Sequence, residues 1–175
     1  MDVLIRGLMA GLLTSHGIRE DVEVILHLQG GPGPHRRLKF IGSELKGFHA
    51  EERSVAGLIG KAIKEPMPAI GQWVERSPGV YDGGGNLQRT LRDWKDTTLI
   101  RLDADAERLW TEKASLPSTS QSNSSDIAFI LSDDLPLEIE EGVPRSLGAT
   151  WLQGHLAIGS VSYTHLRAHE TDSYL

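Results

Sequence analysis

The chain has 175 residues, 39% hydrophobic and 24% charged, enough apolar material for one soluble domain with a real core. Cysteine is absent, which excludes disulfides, zinc–thiolate centres and cysteine nucleophiles, and no run of about 18 apolar residues offers a membrane-spanning helix. The net charge of −6 argues weakly against a nucleic-acid partner, yet residues 1–64 carry nine Lys+Arg against seven Asp+Glu, and the rest nine against seventeen.

Residues 2–15 place Val3, Leu4, Leu8, Leu12 and Leu13 at helical spacing behind an Asp2 cap. The segment Ser15-His16-Gly17-Ile18-Arg19-Glu20-Asp21 packs more polar groups into one turn than chain reversal requires. It reads either as a functional loop or as ordinary caps around a terminating glycine. Val22 to Leu28 is dense in β-branched and aliphatic residues and predicts a strand buried on both faces. Gly30-Gly31-Pro32-Gly33-Pro34 is loop. His35-Arg36-Arg37-Leu38-Lys39 is the densest basic stretch, and Arg37 to Ile41 alternates as a half-exposed strand. Such a stretch suits either a polyanion or a solvated sheet edge.

Ala50 to Lys64 predicts a helix with Val55, Leu58, Ile59, Ala62 and Ile63 on one face, stopped by Pro66 and Pro68. Ser77-Pro78-Gly79-Val80-Tyr81 reads as a turn and short strand, and Gly83-Gly84-Gly85 as a flexible turn. Asn86 caps a short helix to Trp94. Thr97 to Leu102 predicts a strand, with Leu109-Trp110 returning beside it. Ser115 to Ser125 is low-complexity, a polar linker or surface loop. Ile127 to Leu131 predicts a buried strand, Val143 to Leu147 a weaker one and Thr150 to Val161 a helix. This alternation predicts an α/β fold with a parallel-type sheet.

In open α/β sheets, ligands sit beyond the carboxyl ends of strands. Three loops have that position: Leu102-Asp103-Ala104-Asp105, Ser132-Asp133-Asp134 and Leu147-Gly148-Ala149-Thr150-Trp151-Leu152. The third suits a flat heterocycle held by main-chain hydrogen bonds, or a plain strand-to-helix turn anchored by Trp151. Gly83-Gly84-Gly85 lacks the lysine of a phosphate loop, and His165/His169 lacks the glutamate placement of a zinc-protease helix, so no metal site is expected.

Six segments occur in a telling order: Ser15–Asp21, Gly42-Ser43-Glu44-Leu45, Glu51-Glu52-Arg53-Ser54, Ser77–Tyr81, Phe129-Ile130-Leu131-Ser132-Asp133 and Ser146-Leu147-Gly148. With them the chain, from about Asp2 to about Gly159, resembles the archaeal TrmY family of tRNA (pseudouridine(54)-N1)-methyltransferases, of the SPOUT class. The resemblance implies an α/β fold with a C-terminal trefoil knot, S-adenosyl-L-methionine as cofactor, tRNA as partner and a homodimer, while the N-terminus, with no basic region ahead of an apolar core, makes a cytoplasmic location the expectation. It implies cofactor contacts at Leu102, Ser132, Leu147, Gly148, Ala149, Thr150, Trp151, Leu152 and Ala157. The N1 proton of pseudouridine needs an acceptor, for which Glu44, Asp21 and Asp133 are the candidates. Arg19 and Arg53 suit phosphate or flipped-base contact, and Arg36 and Arg37 suit the RNA backbone; each Arg could instead pair with Glu20, Glu51 or Glu52.

Against the family pattern, the first strand is expected to be missing, giving one domain over residues 1–161. Residues 162–175 break the apolar helix pattern and read as a non-native tail. The alternative readings are an inactive RNA-binding or dimerisation fragment, and a related enzyme acting on ribosomal RNA.

Overall fold

Ile5, Leu8 and Leu12 recur at helical spacing and form the buried stripe of α1, Asp2–Leu12. The structure, a computed structural model, describes residues 2–30, 33–94, 97–101 and 126–131. The chain divides into two units, Met1–Leu91 and Arg92–Leu175.

In the first unit α1 gives way to a small hairpin of β1, Leu13–Thr14, and β2, Gly17–Ile18. Then follow β3, Glu23–Leu28, and β4, Arg36–Ile41. After α2, Glu52–Lys64, come β5, Trp73–Ser77, and β6, Val80–Gly84. The helix α3, Leu87–Asp93, comes next. α2 ends because Glu65, preceding Pro66, is extended, with φ −73° and ψ 152°. Asn86 caps α3 as its sequence predicts: its Oδ1 accepts from the Arg89 amide at 3.2 Å.

The four-stranded sheet has the order β3-β4-β6-β5, and every neighbour is antiparallel. The parallel sheet expected from element alternation is therefore not what this unit builds. Its strands are joined as hairpins or around α2, and β5, Trp73–Ser77, is a strand that alternation alone passes over. Register puts Leu26, Leu38, Phe40 and Val80 on one face, where they meet Leu8 and Leu12 of α1 and Val55 and Ile59 of α2. Phe40 and Phe48 meet edge to face at 6.4 Å. Each such aliphatic or aromatic side chain stabilises the fold by roughly 1.5–3 kcal/mol through burial.

Three local expectations change. β3 is less buried than expected: Leu26, which faces the helical core, is its one buried residue, and Val24, Ile25, His27 and Leu28 are half-buried. β4 is more buried than its alternation suggests, since Arg37 and Leu38 are both inside. Gly83 and Gly84 are no flexible turn but buried positions of β6. A Cβ on Gly83 would come within 2.8 Å of the Trp73 ring, and one on Gly84 within 2.7 Å of the Pro68 carbonyl oxygen.

In the second unit β7, Thr98–Arg101, pairs in parallel with β8, Ile127–Ile130. The expected parallel arrangement holds for this pair. Ile130 is buried, whereas Ile127 and Phe129 are exposed, so β8 is only in part the buried strand expected of Ile127–Leu131. The expectations for Leu109-Trp110, Ser115–Ser125, Val143–Leu147, Thr150–Val161, the His165/His169 pair and the tail from 162 lie outside the described residues.

Candidate nucleic-acid interface

Four of the six segments singled out in the sequence meet at one end of the antiparallel sheet. The Ser15–Asp21 turn is held from within: the Thr14 hydroxyl donates to the Gly17 carbonyl at 3.1 Å, and the Arg19 amide to the Leu12 carbonyl at 2.7 Å. The side chains of Ser15, His16, Arg19, Glu20 and Asp21 all remain exposed. Gly42 docks this turn onto the next segment. Its amide donates to the Val22 carbonyl at 2.9 Å, and its α-carbon lies so near the Arg19 carbonyl that no side chain fits.

Gly79 does the same on the other side. It has φ +75°, and a Cβ there would come within 2.5 Å of the Leu45 nitrogen. Its carbonyl accepts from the Ile41 amide at 3.0 Å. With these backbones locked, the Tyr81 hydroxyl reaches the Glu44 carboxylate at 2.5 Å. That hydrogen bond, with smaller contributions from burial and from the charges of Glu44 and Glu75, pushes the Tyr81 phenol up to about 12. The phenol therefore stays a proton donor to Glu44 throughout the neutral range. The fourth segment, Glu51-Glu52-Arg53-Ser54, opens α2, and its Ser54 shares a cavity with Leu45, Ser77 and Val80.

Of the candidate proton acceptors, Glu44 is exposed and oriented by Tyr81, and Asp21 is exposed on its turn. Asp133 lies outside the described residues. So do all the expected cofactor contacts: Leu102, Ser132, Leu147, Gly148, Ala149, Thr150, Trp151, Leu152 and Ala157. Arg19 and Arg53 are exposed. Glu52, a possible pairing partner for these arginines, instead holds Arg6 at 3.0 Å.

Arg36 and Arg37 correct the reading of the basic stretch. Arg36 donates to the carbonyls of Ala62, Ile63 and Glu65 at 2.7–2.9 Å, closing the C-terminal end of α2. It also grips Asp82 through two nitrogens, and Arg76 holds the same carboxylate at 2.8 Å. Arg37 is wholly buried, donates to the Thr90 hydroxyl at 2.9 Å and lies 4.5 Å over the Trp73 ring. Neither guanidinium is presented to an RNA backbone. A buried acid with two arginine partners is structural material, and the sequence carried a signal for it. Alternation along Val80-Tyr81-Asp82 puts Asp82 on the core face with Val80, where a carboxylate requires a cation.

Lys39 keeps an outward role on the opposite face. Its Nζ lies 4.8 Å from the Trp73 ring and 5.4 Å from that of Tyr81, with Glu23 at 4.0 Å. His27 sits on that face as well, with a buried Nδ1 that has no hydrogen-bond partner among the described residues. Burial, and then the charge of Arg37, lower its pKa to about 4, so it is neutral near pH 7.

Sequence comparison fixes the family. The model of the family described as "Putative SAM-dependent RNA methyltransferase" matches residues 1–142. The chain belongs to this family. Relatives named tRNA (pseudouridine(54)-N(1))-methyltransferase include one from Methanospirillum hungatei, 32% identical over 164 residues, covering 90% of this chain and 78% of the relative. One from Thermococcus kodakarensis is 35% identical over 145 residues, covering 81% and 69%. One from Methanocella arvoryzae is 41% identical over 112 residues, covering 58% of each.

Proposed function

We propose that this chain methylates N1 of pseudouridine 54 in the T-loop of tRNA, using S-adenosyl-L-methionine. The observation that carries the reading is the family match over residues 1–142 together with relatives named for that reaction. Bound S-adenosyl-L-methionine supplies an activated methyl group on a sulfonium.

A structural observation fits the cofactor. β7 and β8 are parallel and end side by side, Arg101 opposite Ile130, so the chain leaves both strands at one edge. The expected contacts Leu102 and Ser132 follow within two residues of these ends. A crevice beyond adjoining carboxyl ends is where open parallel sheets hold ligands. The remaining contacts, Leu147 to Leu152 and Ala157, belong in this reading to a C-terminal trefoil knot of the SPOUT class, in a homodimer working in the cytoplasm. Residues 1–161 act as its single domain.

The residues of the first unit take the RNA. Arg19 and Arg53 contact phosphate or an extruded base. Glu44, aimed by the Tyr81 hydroxyl, accepts the proton from N1, with Asp21 and Asp133 as the alternative acceptors. Correct positioning supplies the rest of the rate, since the methyl donor is already activated.

The test is methyl transfer from labelled S-adenosyl-L-methionine to tRNA transcripts carrying either pseudouridine or uridine at position 54. Label only in the pseudouridine transcript, with cofactor binding seen by calorimetry, supports the reading. Cofactor binding without label in either tRNA, or label in ribosomal RNA alone, overturns it.

A further inference from the structure

Beyond the Glu44–Tyr81 pair, the same end of the sheet holds a cavity of about 220 Å³. It lies between the 45–49 loop, one side of α2 and the Ser77-Pro78 turn. Its floor is apolar, made by the buried side chains of Leu45, Phe48, Val55 and Val80. Among the described residues, every ionisable side chain that lines it is a base: Lys46, His49 and Lys61, all exposed at its rim. Two hydroxyls complete the wall. Ser54 belongs to the first turn of α2, and the Ser77 Oγ is buried with no hydrogen-bond partner. A cleft lined by one sign of charge over low-dielectric walls focuses the field and gathers ions of the opposite sign. The buried Ser77 hydroxyl adds a donor that no group of the described fold uses.

We infer that this cavity is an anion seat that takes a backbone phosphate of the bound RNA, gripped by Lys46 and Lys61. The inference rests on the RNA-methyltransferase reading and adds the place where the strand is held. It is distinct from Arg36 and Arg37, whose charges are spent inside the fold. It also follows from charge distribution: the cavity offers cations close to the Glu44–Tyr81 pair and, among the described residues, no lining carboxylate to repel a phosphate.

Two measurements on the full chain test it. The first titrates wild type and a Lys46→Gln/Lys61→Gln double variant with inorganic phosphate and follows amide shifts by NMR. Shifts at Gly47, His49 and Ser54 in wild type, lost in the double variant, are expected. The second measures binding of a T-arm RNA hairpin as a function of salt. One gripped phosphate contributes about 0.7–0.9 to the slope of log affinity against log salt, so the double variant should lose about that much. Lys64→Gln, on α2 but outside the cavity, should keep the cavity's response to phosphate.

The inference is overturned if phosphate moves none of these amides, if wild type does not bind the hairpin, or if the double variant keeps the wild-type salt slope. A response to free phosphate with an unchanged RNA slope also overturns it, because the seat would then serve a small anion. Methyl transfer is read separately. A wild-type chain that binds the hairpin through the cavity but transfers no methyl group fails the proposed function and leaves this inference standing.

Discussion

Gly42 lies against the backbone carbonyl of Arg19 so tightly that a Cβ at position 42 would stand 1.8 Å from the oxygen. Two turns separated by β3 and β4 are thereby pressed together, backbone to backbone. Gly42→Ala should force them apart and destabilise the protein at or above the upper end of the ~1–3 kcal/mol usual for overpacking. Gly60→Ala is the contrast. It sits inside α2 with nothing within 4 Å of its Cβ position, so it should stabilise by about 0.5–1 kcal/mol through helix propensity. Urea unfolding of both variants checks the pair.

Asp82 is fully buried between Arg36 and Arg76. Asp82→Ala leaves two guanidinium groups facing a site with no counter-charge. The expected loss is about 3–5 kcal/mol, the range for breaking one partner of a buried ion pair. Arg76→Ala should cost less, because Arg36 still neutralises the carboxylate. Denaturant midpoints at constant slope decide between these.

His27 gives the fold a pH dependence. Its pKa falls from 6.5 in the unfolded chain to about 4 in the fold, so below pH 6.5 the unfolded state binds the proton first. Stability is present in full above pH 6.5 and is lost as pH falls toward 4, by at most about 3 kcal/mol. His27→Leu should flatten this part of the stability profile while leaving acid unfolding by carboxylates in place. Thermal or urea unfolding at stepped pH measures the difference.

The Tyr81–Glu44 hydrogen bond yields a spectroscopic and a catalytic prediction. Glu44→Gln removes the main cause holding the phenol neutral, so the titration of Tyr81 should move down from about 12 toward 10. Ultraviolet difference titration detects it. In methyl transfer, Glu44→Gln should lower kcat by about 10²-fold or more, the scale of a lost general base. Tyr81→Phe should lower kcat by less, with KM for tRNA little changed. A wild-type kcat in Glu44→Gln would remove Glu44 from the chemistry.

The helices were the legible part of this sequence. Ile5, Leu8 and Leu12, and Val55, Ile59 and Ala62, show their period directly, and Pro66 marks where α2 stops. Strand direction was not legible, because alternation says which face a residue takes and nothing about which neighbour it pairs with. β5 was invisible for a related reason: Trp73-Val74-Glu75-Arg76-Ser77 has little apolar alternation, and its place at the end of the sheet requires none. The depth of the Arg36-Arg37 pair was not legible, because charge in a sequence carries no burial. Both side chains turn inward because a carboxylate, helix carbonyls and an indole ring are waiting there. The grouping of Ser15–Asp21, Gly42–Leu45 and Ser77–Tyr81 could be suspected from their order, but the contacts that join them are backbone contacts at Gly42 and Gly79, which leave only a glycine in the sequence.

The arrangement around Asp82 constrains how this protein can vary over generations. Arg36 serves the last turn of α2 and the Asp82 carboxylate at once, and Arg76 bridges that carboxylate to the Pro66 carbonyl. A single replacement at position 36 or 82 passes through a state with a buried group left unmatched, and one at 76 removes the second cation from the same carboxylate. Drift at these three sites is therefore coupled: among descendants of a common ancestor they should change as a set or stay fixed, while exposed neighbours such as Lys64 wander freely.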